Sequence, residues 1–330
     1  KVKAIAEACM WLPGFGPDED PLQVLGIAGS TSAPVIKAIQ TLCDPFVDSR
    51  PAQPKAIWPK LDASNFDGLF GAVTKYEANI LAIKTLRELE KDDREPSAQE
   101  RTILNRYTGW GGLPEAFNCE QRDEAWAKRS NDLKALLSEP EYESAMESTP
   151  NAHFTPVEVV GAMWGAIRRL GFDGGRIVEP AAGVGYFLGA MPEDVARNSQ
   201  VTTVELDSLS ARIVKALYKP YGVATHHCGL ESSPLPTGFY DLVIGNVPFG
   251  NVQVPEMRNV PFANFSIHNY FFAKALELVR PGGLVAFITS SFTLDANSNA
   301  IREYLAGEGK LLAAIRLPNT TFKQIASTDV

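Results

Sequence analysis

Asn246-Val247-Pro248-Phe249 brings a carboxamide, a proline and an aromatic ring together, directly after the apolar run Leu242-Val243-Ile244. A short apolar run of this kind is the pattern of a buried strand, so the four residues fall at a strand's carboxyl end. Asn246 offers a side-chain carbonyl, and the backbone carbonyl of Val247, held by the fixed ring of Pro248, offers a second acceptor. Two acceptors facing one planar NH2 group hold both of its hydrogens. The nitrogen lone pair is then drawn out of conjugation and toward a methyl donor. Phe249 can stack on the flat face of a base. No ionised general base is required before attack. In isolation the same residues also read as an ordinary turn, so the weight falls on what stands beside them.

A second cluster precedes it. Glu179-Pro180-Ala181-Ala182-Gly183-Val184-Gly185 follows one apolar run and opens a helical one. Gly183 and Gly185 permit a tight turn and a close approach of backbone amides to a ligand. The loop is neither a Gly-x-x-x-x-Gly-Lys phosphate loop nor the three-glycine dinucleotide fingerprint, and a lone Gly-x-Gly also reads as a plain strand–helix turn. Glu205 ends the next predicted strand, 20 residues after Gly185. Its carboxylate can accept both ribose hydroxyls of an adenosine moiety, while Asp207 better suits a helix cap. Together the two features point to an adenosine-bearing cofactor.

These loops require strands to hold them, and the chain provides a suitable alternation. Strands are expected at Arg176–Val178, Val201–Val204, Tyr240–Ile244, Leu284–Thr289 and Leu311–Arg316. Helices are expected at Val157–Leu170, Tyr186–Met191, Ser208–Leu217, Ile267–Val279 and Ala300–Ala306. Strand–helix alternation argues for a parallel sheet covered on both faces, an α/β fold whose ligands sit outside the carboxyl ends of the strands. Thr155-Pro156-Val157-Glu158 reads as a helix start in which Thr155 caps, Pro156 takes the first position and Glu158 closes a capping box. Phe271-Phe272 read as core, and Phe262 and Phe265 as packing residues before a base pocket.

Ahead of this lies a mostly helical stretch, with helices expected over Gly71–Lys91, Gln99–Tyr107, Glu120–Leu137 and Glu139–Glu147. It is interrupted by Gly109-Trp110-Gly111-Gly112-Leu113-Pro114, where Trp110 reads as a packed anchor. Three units follow: 1–66, punctuated by proline and glycine and without a motif beyond a short helix at Ala33–Leu42; a helical layer at 67–150; and the sheet domain at 151–330.

Composition is that of a globular protein, 45% hydrophobic and 21% charged, with no apolar run near the ~18 residues of a membrane span. Cys9, Cys43, Cys119 and Cys228 have neither metal-ligand nor disulfide-framework spacing, and His226-His227 lacks a further ligand nearby. No metal centre is expected, and the cytoplasm is the expected compartment. The net charge of −8 runs against a large phosphate-binding surface. It is unevenly placed: residues 1–150 balance at −7 and residues 151–330 at −1, so a locally basic cleft remains possible in the second half. A chain starting at Lys1 rather than Met is expected to be part of something longer.

With these residues in place, the chain resembles the amino-methyltransferase family that modifies adenine in DNA. Phe154-Thr155-Pro156 resembles the Phe-Thr-Pro element that precedes that family's cofactor loop, Glu179 to Phe187 the loop itself, and Glu205 its ribose-binding acid. Asn246 to Phe249 resembles its Asn-Pro-Pro-Tyr/Phe, Pro281-Gly282-Gly283 to Ser290 its pocket-closing strand, and Phe322 a second base-stacking aromatic. The resemblance implies a Rossmann-like S-adenosylmethionine-dependent methyltransferase sheet. It implies catalysis by Asn246, Val247, Pro248 and Phe249, base stacking by Phe249 and Phe322, and cofactor contacts from Phe154, Thr155, Glu179, Ala181, Gly183, Gly185, Glu205 and Asn246. The antiparallel last strand of such sheets is expected to be truncated or paired differently, because the chain stops at Val330. Two positions depart from the family. Val247 replaces its first proline but keeps the backbone carbonyl, and Cys228-Gly229-Leu230-Glu231 replaces an Asp-Phe pair, with Glu231 as the substitute contact.

The segment Asn105 to Pro114 resembles a narrower group, DarB-like antirestriction proteins of phages and plasmids that fuse an adenine methyltransferase to a Swi/Snf-type helicase. It implies DNA as substrate and a helicase or target-recognition domain as partner. Two other readings stay open: a methyltransferase acting on RNA guanine or protein glutamine, and a non-catalytic DNA-handling scaffold descended from a methyltransferase.

Overall fold

The computed structural model describes residues 8–13, 58–69, 71–149, 155–250, 252–256, 258–318 and 321. Seven strands form one sheet: β1 Ala8–Pro13, β2 Gly175–Glu179, β3 Ser199–Glu205, β4 Ala224–His227, β5 Tyr240–Asn246, β6 Val279–Ile288 and β7 Gly309–Ala313. Their order is β4-β3-β2-β5-β6-β1-β7. Pairs β2–β3, β3–β4, β2–β5 and β5–β6 are parallel. The chain therefore leaves β2 toward one edge and returns to β5 on the other side of β2. Loops after β2 and β5 diverge at this reversal, which opens a crevice at the strands' carboxyl ends.

Alternation along the strands sends side chains into two cores. Leu242 and Ile244 of β5, with Ala286 and Ile288 of β6, enter one cluster, while Val243, Val285 and Phe287 enter the other. Both faces are covered, which is why these strands read as nearly continuous apolar runs. Counting all α-helices in chain order, the sheet domain's helices are α5 Val157–Arg169, α6 Tyr186–Gly189, α7 Glu193–Arg197, α8 Ser208–Tyr218, α9 Ile267–Leu278 and α10 Ala300–Glu308. Residues of α5, α6, α7 and α8 pack in the first cluster, and residues of α9 and α10 in the second. Phe271 and Phe272 are core as expected, and Phe262 and Phe265 stack edge-on against Tyr304.

Four helices come first: α1 Ala72–Asp92, α2 Ala98–Asn105, α3 Glu124–Leu136 and α4 Glu139–Ser148. Asn79 of α1 fastens the glycine loop, donating to the Gly109 carbonyl at 2.5 Å and accepting from Thr108 N at 2.9 Å. Trp110 is buried edge-on against Tyr76 and Phe117, so it is a packed anchor. The layer is tied to the sheet by Tyr186 Oη, which donates to the Tyr107 carbonyl at 3.2 Å, and by the Arg212–Glu141 ion pair at 2.5 Å.

Sequence-based expectation and structure differ in four places. β4 was not anticipated, because Ala-Thr-His-His at a sheet edge carries no apolar run. The antiparallel strand among the described residues is β1, from the chain's first residues, which lies between β6 and β7 and pairs with both. β6 starts five residues earlier than expected, with a register shift between its pairings to Tyr240 and Leu242. Pro281, Gly282 and Gly283 lie in that shift: proline has no amide to pair, Gly282 has φ +79°, and a Cβ on Gly283 would sit 3.0 Å from the Tyr240 carbonyl. Finally, Thr155 does not cap α5. Pro156 holds the N-cap in an extended conformation without a side-chain cap, its carbonyl accepting from Val159 and Val160 N, and Thr155 is buried. The helix expected at Ala33–Leu42 lies outside the described residues. Among the described residues, no helix is long and apolar enough to cross a membrane.

Candidate cofactor and acceptor site

The crevice between β2 and β5 is built around two carboxyls. Glu205, at the end of β3, accepts from Gly183 N at 2.6 Å through Oε2 and from Asp207 N at 2.8 Å through Oε1. It therefore shapes the glycine loop itself, and each oxygen keeps lone-pair capacity for a further donor. Burial, together with the charge of Asp207, lifts its pKa to about 7 despite those amide bonds. Asp207 also caps α8 as expected, accepting from Ser210 N at 2.8 Å.

Glu179, at the end of β2, is buried, and its Oε2 has no hydrogen-bond partner. Burial, with Glu205 nearby, holds its pKa well above the ordinary carboxylate range. A buried carboxyl oxygen left without a donor is costly and suits a ligand bearing an amine or a positive charge.

The loop between them turns on its glycines. Gly183 has φ +53° and gives its amide to Glu205. Gly185 has φ +84°, and a Cβ there would lie 2.7 Å from Tyr218 Cε2 and 3.0 Å from Val214 Cγ2. Its missing side chain lets the loop lie on α8. Ala181 is half-buried between these two turns and Glu179.

On the other side of the crevice, β5 ends in Asn246, which is half-buried. Gly245 abuts Glu179, since a Cβ on Gly245 would lie 3.6 Å from Glu179 Cγ. The Glu179 side chain thus lies against the β5 backbone one residue before Asn246. Val247 donates its amide to the Ile288 carbonyl at 3.2 Å and buries its side chain in the second core cluster. Pro248 is half-buried, and Phe249 packs against both clusters at once. Valine in place of the expected proline is thus accommodated by packing, with the strand end pinned to β6.

Of the residues singled out from sequence, Glu179, Ala181, Gly183, Gly185, Glu205 and Asn246 to Phe249 gather at this crevice. Glu231 lies on the 3-10 turn after β4, where Cys228 N donates to the Glu205 carbonyl at 3.1 Å; its side chain folds over Gly229, and its charge adds to burial in raising the Cys228 thiol pKa. Phe154 and Phe322 lie outside the described residues.

His268 was not anticipated. It is buried near the start of α9, with Nε2 3.2 Å from Ser266 Oγ and its ring against the backbone of Gly250, directly after Phe249. Burial lowers its pKa, favouring the neutral imidazole. A lone histidine opening an apolar helix gives no sequence signal of such placement. A cleft of about 480 Å³ runs between Trp58–Ala63, α5 and the segment Gly189–Glu193. None of the anticipated site residues lines it.

Residues 200–322 match the Eco57I restriction-modification methylase family. The matched span includes Glu205, Asn246 to Phe249 and Phe322, and begins after the Glu179–Gly185 loop. The chain is 26% identical over 273 residues to "Defense against restriction protein B" of Escherichia phage P1, covering 82% of this chain and 10% of that protein. It is 26% identical over 156 residues to a type II methyltransferase of Thermus thermophilus, covering 42% of this chain and 34% of that protein. It therefore spans about a tenth and a third of these relatives' lengths. A solved methyltransferase subunit of a type I restriction-modification system from Streptococcus thermophilus superimposes with TM-score 0.41 at 12% identity, covering 74% of this chain and 75% of that one. The family model is of methylases and the Thermus thermophilus relative is a methyltransferase, which supports S-adenosylmethionine as the cofactor.

Proposed function

We propose that this domain transfers a methyl group from S-adenosylmethionine to the exocyclic amine of adenine in DNA. The observation that carries the reading is the placement of Asn246-Val247-Pro248-Phe249 at the end of β5, directly after Gly245, whose backbone lies against the Glu179 side chain that ends β2. When bound, S-adenosylmethionine supplies an electrophilic methyl group on a sulfonium. Glu205 accepts ribose hydroxyls with the lone pairs its amide bonds leave over, and the partnerless Glu179 oxygen takes a donor from the cofactor.

Asn246 Oδ1 and the Val247 carbonyl accept the two amine hydrogens, leaving the nitrogen lone pair free to attack the methyl carbon. Phe249, wedged between both cores, gives the base a fixed stacking face. As the C–N bond forms, the C–S bond breaks and its electron pair stays on sulfur; one amine proton is then lost to solvent. Positioning and aligned dipoles supply the rate enhancement, not an ionised base. The amine is hidden in a duplex, so the acceptor base is flipped out or presented on a single strand. The name of the phage relative supports a setting of defence against restriction; a helicase or target-recognition domain is the partner proposed with it.

A radiolabelled methyl-transfer assay on DNA, RNA and protein tests this, with Asn246→Ala as control. Label on DNA adenine that disappears in the variant is the expected result. Label on guanine or glutamine instead would assign the alternative acceptors. A second reading, a non-catalytic scaffold, is favoured by the net charge of −8 and by Val247 in place of proline. It predicts weak cofactor binding in a titration.

A further inference from the structure

Among the described residues, the three most exposed large apolar side chains are Leu206, Phe292 and Val252, at 72%, 65% and 58% exposure. Each follows the carboxyl end of a strand: β3, β6 and β5 respectively. Single exposed apolar residues need no explanation. Their gathering at the one sheet edge that carries the candidate site does.

Leu206 adjoins Glu205 and belongs with the cofactor. Phe292 stands on the acceptor side. Asn246 pairs in register with Ile288, and the chain runs from Ile288 through Thr289-Ser290-Ser291 directly to Phe292. The turn that carries it is braced on every side. Ser290 Oγ accepts from Phe292 N at 3.3 Å, and the Ser290 carbonyl accepts from Thr293 N at 3.1 Å. The buried Thr289 and Thr293 hydroxyls lie 2.9 Å apart. The Arg302 guanidinium donates to the Leu294 and Ala296 carbonyls at 2.8 and 2.7 Å. A ring held out to solvent on a pre-ordered turn loses little freedom when it binds. Phe249 is the opposite case, recessed between the cores. A recessed ring serves a base inside the pocket; a protruding one meets a base outside it.

We propose that Phe292 is a stacking platform for an unpaired nucleobase of the substrate strand, next to the acceptor base. The idea rests on the DNA reading above. None of the turn's residues, Ser290 to Leu294, is cationic, so the contact argued for is to a base face, which every nucleotide presents, and not a charge contact to phosphate.

The test measures affinity for a mixed-sequence single-stranded oligodeoxynucleotide, and for the same sequence as duplex, across a salt series. Phe292→Ala is expected to weaken single-strand binding roughly tenfold, the scale of one base–aromatic stack. Phe292→Trp should bind like the native protein, as should Leu81→Ala, which removes an exposed apolar side chain from α1. The salt slope should not change, because no phosphate contact is removed, and duplex binding should be unaffected. Equal single-strand affinity of Phe292→Ala and the native protein overturns the proposal. So does a loss shared equally by duplex, a changed salt slope, or a native protein that binds no single strand. Methyl transfer measured on the same samples reports separately on the enzymatic reading, which can fail while the stacking result stands.

Discussion

Replacing Glu205 by glutamine should invert the sign of a stability effect between acid and alkaline pH. In the folded chain Glu205 titrates near 7, against an ordinary 4.5. The folded carboxyl therefore holds its proton more tightly than the unfolded one. Between these two values the folded state binds more protons, so native stability falls as pH rises from 4.5 to 7 and is flat on either side. The shift is worth up to about 3 kcal/mol. Glu179, raised further by burial and by Glu205 itself, acts in the same direction. Glutamine removes the Glu205 slope but gives up one of the two backbone amide bonds, costing about 1 kcal/mol. Urea unfolding of the cofactor-free protein should find Glu205→Gln about 1 kcal/mol less stable at pH 5 and up to about 2 kcal/mol more stable at pH 8. Curves separated by the same amount at both pH values would refute the reasoning. The same ionisation should govern cofactor affinity. Ribose hydroxyls donate best to the carboxylate, so a titration should find binding weakening below pH 7 by at most about tenfold per unit.

Three further outcomes follow from the geometry. Gly185→Ala combines a positive φ with a Cβ 2.7 Å from the buried Tyr218 ring, and should cost about 2–4 kcal/mol, read as a fall in the urea midpoint. Asp241→Ala strands Arg176 and Arg280, whose Nε atoms lie 2.9 and 2.5 Å from the Asp241 carboxylate; a loss of about 3 kcal/mol in chemical denaturation is expected. Although burial works against it, those arginines hold the Asp241 pKa below 3.8, so its contribution is present above about pH 4 and lost as pH falls through the folded value. Glu179→Gln should lower S-adenosylmethionine affinity in calorimetry while leaving the unliganded fold at least as stable, because a buried carboxyl without a donor is removed.

The parallel strands at the centre of the sheet were legible because burial on both faces forces continuous apolar runs, as in Leu242-Val243-Ile244. The glycine loop and Asn246 to Phe249 were legible because a tight turn and a paired acceptor each need particular residue types, whatever surrounds them. The edge strand β4 carries no such constraint and is polar, while β1, inside the sheet between β6 and β7, is adjacent to its partners only in space, so neither announced itself. Thr155 looked like a cap because capping is a local signal, yet Pro156 took that position.

What the sequence determined alone was the inventory of the crevice and the order in which its strands are made. Only the tertiary structure decided how the inventory works. Glu179 becomes a buried carboxyl with an oxygen lacking a donor because β2 ends beside β5, against the backbone of Gly245. The Glu205 pKa rises to about 7 because burial and the nearby Asp207 charge outweigh the amides that bond its carboxylate. Gly185 has no room for a side chain because α8 lies against it, and Phe292 stands in the open on a braced turn. These are properties of contacts between distant segments. A spacing along the chain cannot state them, since burial and charge act through space and not along the backbone.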